Sequence, residues 1–178
     1  VVRYGGYPSG NGSVNIATSS ITVQNCVFEQ SYRYGIYLNA VDVSIDSSII
    51  RHNRLSGIYV NNSTATITNS TISENLQHGI HIVNSTATIT GNRISGNRGD
   101  GIQLIDGDAP SSRVFRIERN LIANNAQAGI GMMCCMNTRE DFQAASLTER
   151  IYLFHNTFVG NDHGVTGGDN AIALNNLF

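Results

Sequence analysis

The sequence of 178 residues lacks lysine and tryptophan altogether and has only 2 proline and 3 cysteine residues. Charged residues make up 13% of the chain, against about 25% in an ordinary globular domain. All 11 basic residues are arginines, and their scatter along the chain argues against a nucleic-acid-binding patch. No apolar run approaches the roughly 18–20 residues of a membrane-spanning helix. We therefore expect neither a nucleic-acid partner nor a membrane span.

Glycine, of which there are 18, and Asn, Ile, Ser and Thr are abundant instead. A Gly-Ile pair recurs every 22 residues, with its glycine at positions 35, 57, 79 and 101. The next glycines of this column are Gly129, followed by Ile130, and Gly164, followed by Val165. They come after 28 and 35 residues, so two coils carry loop insertions, near 106–112 and 135–149. A period of 22 residues lies in the range of stacked solenoid units.

Within each repeat the apolar residues also occupy fixed positions. In the third repeat these are Ala65, Ile67, Ile72, Ile80 and Ile82, and the pairs two residues apart have the period of a β-strand. The pattern predicts three short strands per coil, near 65–68, 71–73 and 79–83. Stacking each strand in parallel on its equivalent, about 4.8 Å away, would bury ladders of Ile and Val. The predicted fold is all-β, a single parallel β-helix domain over residues 1–178 with roughly six to seven coils.

Asparagine follows the same period in two columns. One column reads Ser31, Asn53, Asn75, Asn97 and Asn125, with Asn161 one residue out of step. The other reads Asn25, Ser47 and Asn69, followed after small slips by Asn92, Asn120 and Asn156. Asn tolerates the left-handed turn conformation, and its amide can bond the turns above and below. We interpret both columns as structural.

The segment from Asn69 to Ile82 has the pattern Asn-x-x-Ile-x-x-Asn-x-x-x-Gly-Ile-x-Val, with Ile at the last position. This repeat resembles the right-handed parallel β-helix of the pectin-lyase-like superfamily, especially its generic repeats of carbohydrate-binding and sugar-hydrolase type. The resemblance covers about residues 13–178. It implies that the Gly-Ile-x-Val strands form one sheet and that a substrate groove runs along the outside of that sheet, between loops.

The catalytic signatures of that superfamily are missing. There is no Asp-Pro-His-Asp of alginate epimerases, and Asp162-His163-Gly164 only partly matches the Gly-His-Gly of polygalacturonases. A calcium-dependent lyase would need clustered carboxylates, and the candidates Asp100, Asp106 and Asp108 are sparse. We therefore predict no metal site and no cofactor, and no catalytic set is carried over from the family.

If Ile80 and Ile82 face the core, His81 faces outward. Its column reads Asn15, Tyr37, Tyr59, His81, Gln103, Gly131 and Thr166. Aromatic faces and planar amides suit a saccharide chain, so we predict substrate-binding residues at Tyr37, Tyr59, Asn61 and Gln103. Both insertions follow this strand and would wall the column, with a short helix around 139–149. The alternative interpretation is that stacked outward tyrosines only stabilise the sheet.

For chemistry, the sequence predicts His81 as the acid/base and Asp100 as its partner. His78 precedes Asp100 by one repeat, so their backbones would lie about 5 Å apart. A carboxylate pair of Asp100 with Asp106 or Asp108 is the alternative arrangement.

Two classes of function fit these observations. The first is a polysaccharide-recognising β-helix, either a binding module or part of a lyase, hydrolase or epimerase. The second is a non-catalytic spacer or adhesion stalk of a surface protein. We favour the first, with a polysaccharide or oligosaccharide as partner and an extracellular or periplasmic location. Residues 171–174 open a coil without finishing it, so we expect a segment of a longer protein, or a partner chain at the open ends.

Overall fold

The computed structural model describes residues 1–3, 12–16, 20–105, 113–132, 150–167 and 171–178. Over these residues the chain forms three parallel sheets of seven strands each and no helix. The insertions expected near 106–112 and 135–149, with the helix predicted around 139–149, lie outside the described residues.

Each sheet takes one strand from every coil. Sheet I contains the Gly-Ile-x-Val strands β2 (Gly12–Ile16), β5 (Tyr34–Asn39), β8 (Ile58–Asn61), β11 (Ile80–Val83), β14 (Ile102–Ile105), β17 (Ala128–Gly131) and β20 (His163–Thr166). Sheet II contains β3 (Ile21–Gln24), β6 (Asp42–Asp46), β9 (Thr64–Thr68), β12 (Thr86–Thr90), β15 (Val114–Glu118), β18 (Arg150–Phe154) and β21 (Ala171–Leu174). Sheet III contains β1 (Val2–Arg3), β4 (Val27–Glu29), β7 (Ile49–Arg51), β10 (Thr71–Ser73), β13 (Arg93–Ser95), β16 (Leu121–Ala123) and β19 (Thr157–Val159).

The core consists of apolar side chains, mainly Ile, stacked from coil to coil. Ile80 lies between Ile58 and Ile102 in the registers of sheet I. Ile67 is stacked in the same way within sheet II, and Ile67, Ile80 and Ile82 are all fully buried. The observed strands of the third repeat begin within one residue of the predicted ones. The predicted all-β parallel β-helix with three short strands per coil is therefore confirmed.

A ladder of buried amides joins the coils between sheets III and I. Asn75 Oδ1 accepts from the backbone N–H of Asn53 at 3.1 Å and from its side-chain amide at 2.9 Å. The Nδ2 of Asn75 donates in turn to Asn97 Oδ1 at 2.9 Å. The ladder continues to Asn161, which accepts from Asn125 at 2.9 Å and is a regular member despite its one-residue offset in sequence.

At the corner between sheets II and III, the turn and the ladder are made by adjacent residues. The predicted left-handed conformation is present at Asn25, Ser47 and Asn69, with φ of 52°, 49° and 48°. The ladder bonds come from the following residue of each coil, because the N–H of Ser70 donates to Asn92 Oδ1 at 2.9 Å. The sequence analysis assigned the left-handed turn and the ladder bonds to the same column of residues, whereas in the structure they belong to adjacent residues.

Truncating one stacked core residue tests the solenoid directly. Ile80→Ala is expected to lower the free energy of unfolding by about 2–5 kcal/mol, because the removed atoms leave a cavity between two coils. Urea denaturation followed by circular dichroism measures this loss. The matched control is Ile49→Ala on sheet III. Because Ile49 is 38% exposed, this variant should lose much less free energy of unfolding. A loss below about 1 kcal/mol for Ile80→Ala would contradict this packing.

Candidate functional site

The outward column of sheet I has the predicted composition. Strand pairing places seven residues in register, one per coil: Asn15, Tyr37, Tyr59, His81, Gln103, Gly131 and Thr166. A second outward column begins with Asn39 and Asn61, and the Nδ2 of Asn61 donates to Asn39 Oδ1 at 2.8 Å. In β8 and β11 buried and half-buried residues alternate, because successive side chains of a strand point to opposite faces.

Four rings of this face form a continuous stack, which we call the aromatic row: Tyr34, Tyr37, Tyr59 and His81. The rings of Tyr37 and Tyr59 are parallel, with centroids 5.2 Å apart. Tyr34 is tilted against Tyr59 at 4.8 Å, and His81 meets Tyr59 edge-on at 5.0 Å. The stack covers much of the ring face of Tyr59 and leaves the row half-buried.

His81 is held in a neutral state by its surroundings. Burial lowers the pKa of His81 to about 4, the positive charge that His78 can carry adds to this effect, and the carboxylate of Asp100 opposes it. Within the described residues, His81 Nε2 and Ser56 Oγ are the two buried side-chain polar atoms without a hydrogen-bond partner. His81 is therefore an unprotonated imidazole at neutral pH, and its ring takes up a proton only near pH 4.

Asp100 contacts His78 directly and affects His81 through its charge. His78 Nδ1 accepts from the backbone N–H of Asp100 at 3.0 Å and lies 3.3 Å from Asp100 Oδ2. Asp100 Oδ1 accepts from the backbone N–H of Ala128 at 2.8 Å. The rings of His78 and His81 are 5.1 Å apart. The two histidines and the carboxylate thus form one cluster at the edge of the aromatic row.

Gly131 provides the space that the carboxylate of Asp100 occupies. A Cβ at position 131 would lie 2.5 Å from Asp100 Oδ2, which is closer than any non-bonded contact allows. Only glycine therefore permits the carboxylate to lie against the backbone of the outward column. Sequence reasoning placed Gly131 in the column but could not detect this role, because it depends on the direction of the Asp100 side chain.

The other predicted binding residues differ in exposure. Tyr37, Tyr59 and Asn61 are half-buried. Gln103 is only 6% exposed, and its Nε2 donates to the carbonyl of Gly131 at 3.1 Å. The predicted walls of the site and the alternative carboxylates Asp106 and Asp108 lie outside the described residues.

Sequence analysis missed a row of side chains at the corner between sheets III and I, which we call the corner row: Tyr32, Arg54, Leu76 and Arg98. They follow directly after four successive members of the Asn ladder, and all four are exposed. The guanidinium carbon of Arg54 lies 4.6 Å from the ring centroid of Tyr32. No ion pair among the described residues involves Arg54, Arg98 or the neighbouring Arg33. The two arginines are 44 residues apart, which is two repeats, and this spacing is the signal in the sequence that could have revealed the row.

Within the described part of the chain, no three His, Cys, Asp or Glu side chains lie close enough together to hold a metal ion. Nor does it contain a helix long and apolar enough to cross a membrane.

The fold and the repeat are those of a known family. The family model described as "Right handed beta helix region" matches residues 12–178. The chain belongs to this right-handed β-helix family. A comparison of the sequence with curated proteins gives no match.

Solved structures of other right-handed β-helices resemble this member of the family. Pectate lyase Pel9A superposes with a TM-score of 0.70 at 15% identity, over 94% of this chain and 51% of that one. The A-module of the Azotobacter vinelandii mannuronan C-5 epimerase AlgE6 gives 0.56 at 13% identity, over 92% and 58%. A mutant of the periplasmic alginate epimerase AlgG gives 0.55 at 19% identity, over 90% and 46%. This β-helix thus spans about half the length of these proteins, and at such identities the likeness shows the fold alone.

The buried state of His81 predicts a pH-dependent stability for this β-helix. The folded pKa of about 4 lies below the ordinary value of 6.5, so the unfolded chain binds a proton that the folded state rejects. Stability from this residue is complete above about pH 6.5 and falls as the pH decreases towards about 4, by up to about 3 kcal/mol.

The test is urea unfolding of the parent and of His81→Phe at several pH values. The difference between the two proteins isolates the contribution of His81 from that of the other titrating groups. The variant keeps a ring in the stack and removes the titration. Equal slopes of stability against pH in the two proteins would contradict the assignment.

Proposed function

We propose that this β-helix binds an acidic polysaccharide that lies along the aromatic row, parallel to the solenoid axis. The observation that carries the proposal is the register of sheet I, which aligns the rings of Tyr37, Tyr59 and His81 over three successive coils. A coil rise of about 4.8 Å presents equivalent groups at regular intervals, as a ligand made of repeated units requires.

The hydroxyl edges of the tyrosines suit hydrogen bonding to sugar hydroxyls. Burial raises the pKa of Tyr59, with Tyr34 and Tyr37 adding to the effect, and burial likewise raises the pKa of Tyr34. Both phenols are therefore protonated at neutral pH and can donate as well as accept. Asn61, in the adjacent outward column, adds a planar amide.

The corner row supports an acidic ligand over a neutral one. Arg54 and Arg98 are exposed, and no described carboxylate pairs with either. Guanidinium groups bind carboxylates through two parallel hydrogen bonds. The two arginines are separated by two coils, about 10 Å along the axis, and so could hold two acidic units of one chain.

The names of the structural neighbours agree with this proposal. One is a pectate lyase, one a mannuronan epimerase and one a periplasmic alginate epimerase. For this chain we propose an extracellular or periplasmic location, where such polymers are accessible.

For catalysis we propose His81 as the acid/base, with His78 and Asp100 setting its protonation. The support is that His81 lies in the outward column, is neutral at pH 7 and has an Nε2 without a hydrogen-bond partner among the described residues. A lyase or hydrolase reaction needs an unprotonated base near the substrate.

The second candidate function is a non-catalytic structural stalk. It is favoured by the parallel contact of Tyr37 with Tyr59, which uses ring faces within the protein, and by the burial of Gln103. Binding measurements distinguish the two functions.

Removing one ring and one charge tests the binding surface. Tyr59→Ala and Arg54→Ala are each expected to weaken binding of oligogalacturonate or oligomannuronate about tenfold, measured by calorimetry. Tyr59→Ala should cost less stability than Ile80→Ala, because an outward ring leaves no cavity in the core. The effect of Arg54→Ala should diminish at high salt, because it removes an exposed charge. Thr66→Ala, on the outer face of sheet II, is the matched control. Parent-like binding by both variants, or a bound sugar on the Thr66 face, would show that the site is elsewhere.

The catalytic proposal has its own test. His81→Ala is expected to abolish turnover of any polysaccharide that the parent degrades or epimerises, while part of the binding remains. Asp100→Asn should reduce turnover less and shift its pH profile, because Asp100 acts on His81 by charge. Product analysis by mass spectrometry and NMR measures both. Full turnover by His81→Ala would remove this residue from the mechanism.

A further inference from the structure

The corner row alternates in character from one coil to the next. Tyr32 and Leu76 are apolar, and each is 45% exposed. Arg54 lies between them and Arg98 follows Leu76, and both arginines are exposed. The next residue of the same column is Ala126, which is small, apolar and exposed. The corner therefore presents apolar and basic groups in turn over five successive coils.

Backbone hydrogen bonds fix the spacing of this row. The N–H of each member from Arg54 to Ala126 donates to the carbonyl of the ladder residue one coil earlier, at 2.9–3.0 Å. Successive members are therefore about 4.8 Å apart, and members of like character are about 10 Å apart. Residues 30–105 and 113–127, which contain this corner in all five coils, belong to the described part of the chain.

A carboxylate strengthens the alternation in the coil of Leu76. Glu74 comes two residues before Leu76, its side chain is 62% exposed, and its Oε2 lies 3.3 Å from His52 Nδ1. The equivalent position is His52 in the coil of Arg54 and a glycine in the coil of Arg98. A carboxylate on a ligand would therefore meet a guanidinium at either arginine, but a like charge and an apolar side chain at Leu76.

Two further charged groups mark the limits of the row. The guanidinium carbon of Arg33 lies 5.9 Å from the ring centroid of Tyr34, on the side of the aromatic row. Beyond Ala126 the column continues with Asp162, which is exposed and whose Oδ2 lies 3.1 Å from His163 Nδ1. An acidic ligand is repelled there, so the alternating part of the row ends at Ala126.

We propose that the acidic polysaccharide bound by this β-helix alternates an acidic sugar with an uncharged one. The inference rests on the proposed function and specifies its ligand. One sugar unit of an extended chain advances by about one coil rise, so two units that are two coils apart place their carboxylates at Arg54 and Arg98. The intervening units meet Tyr32 and Leu76, against which an uncharged group such as an N-acetyl methyl can pack. A polymer of uronic acid alone would hold an unpaired carboxylate beside Leu76 and Glu74.

Calorimetry with two acidic oligosaccharides of equal length tests this proposal. Hyaluronan fragments alternate glucuronate with N-acetylglucosamine, whereas every unit of oligogalacturonate is acidic. The number of charges alone favours oligogalacturonate, because it has twice as many carboxylates. The alternation of the row predicts the opposite order, with the hyaluronan fragment bound about tenfold more tightly.

Variants of exposed residues connect this preference to the row. Leu76→Arg places a third guanidinium in the row, so it should strengthen oligogalacturonate binding about tenfold and remove the preference for hyaluronan. Glu74→Gln removes the like charge and should narrow the preference. The matched control is Arg93→Ala, which removes an exposed arginine of sheet III outside the row and should leave the preference unchanged.

The outcomes separate this proposal from the one on which it rests. Equal or tighter binding of oligogalacturonate by the parent would overturn the alternation and leave the binding of an acidic chain intact. Chitin oligosaccharides, which contain N-acetylglucosamine alone, would overturn it by binding as tightly as hyaluronan, because the arginines would then have no part in recognition. A preference for hyaluronan that persists in Leu76→Arg would also overturn it. If neither acidic oligosaccharide binds, both proposals are wrong.

Discussion

Every surface of this protein depends on the register between coils, and buried side-chain amides help to hold that register. The Asn97–Asn125 and Asn125–Asn161 bonds are both 2.9 Å long, although they join residues 28 and 36 positions apart instead of 22. The amide corner is thus unchanged where the chain inserts extra residues elsewhere in the coil. An unsatisfied buried amide would cost about 1–3 kcal/mol, which makes any slip between coils unfavourable. The outward columns are aligned because the amide ladder holds the coils in this register.

The fold could be predicted from the sequence because both the period and the strand alternation are direct consequences of stacking. The outward column from Asn15 to Thr166 was predicted residue by residue, since a repeat of fixed length places equivalent positions above one another. The insertions did not disturb this, because a glycine followed by Ile or Val marks the same point in each coil from Gly35 to Gly164. A repeat therefore contains more information about long-range contacts than an ordinary sequence of the same length.

The chemistry of the site could be predicted only in part, because it depends on side-chain directions at corners. The period predicted that His78 lies one coil from Asp100. It could not predict the 3.0 Å hydrogen bond between them, because the donor is the backbone N–H of Asp100. The period also predicted that Gln103 lies beside His81. It could not predict that Gln103 is buried, because this depends on the side-chain amide turning towards the carbonyl of Gly131. Neither fact follows from spacing, because a column position fixes the Cα and leaves the side chain free.

The aromatic row is a compromise between stability and availability for binding. Ring stacking stabilises the outer face of sheet I, whereas the buried Nε2 of His81, which has no partner among the described residues, opposes folding. The buried apolar ladders of the solenoid offset this cost. The cost is also local, because each coil contacts only its neighbours.

This locality also determines how the aromatic row and the corner row relate to each other. They follow the same coils, since each member of the corner row comes directly after a ladder residue and before a strand of sheet I. A change in an outward side chain affects one row, because such a side chain leaves the ladders intact. A change in a ladder residue such as Asn75 removes hydrogen bonds to the coils on both sides, and therefore affects both rows at once. The two rows can thus vary independently of each other but not independently of the amide ladder.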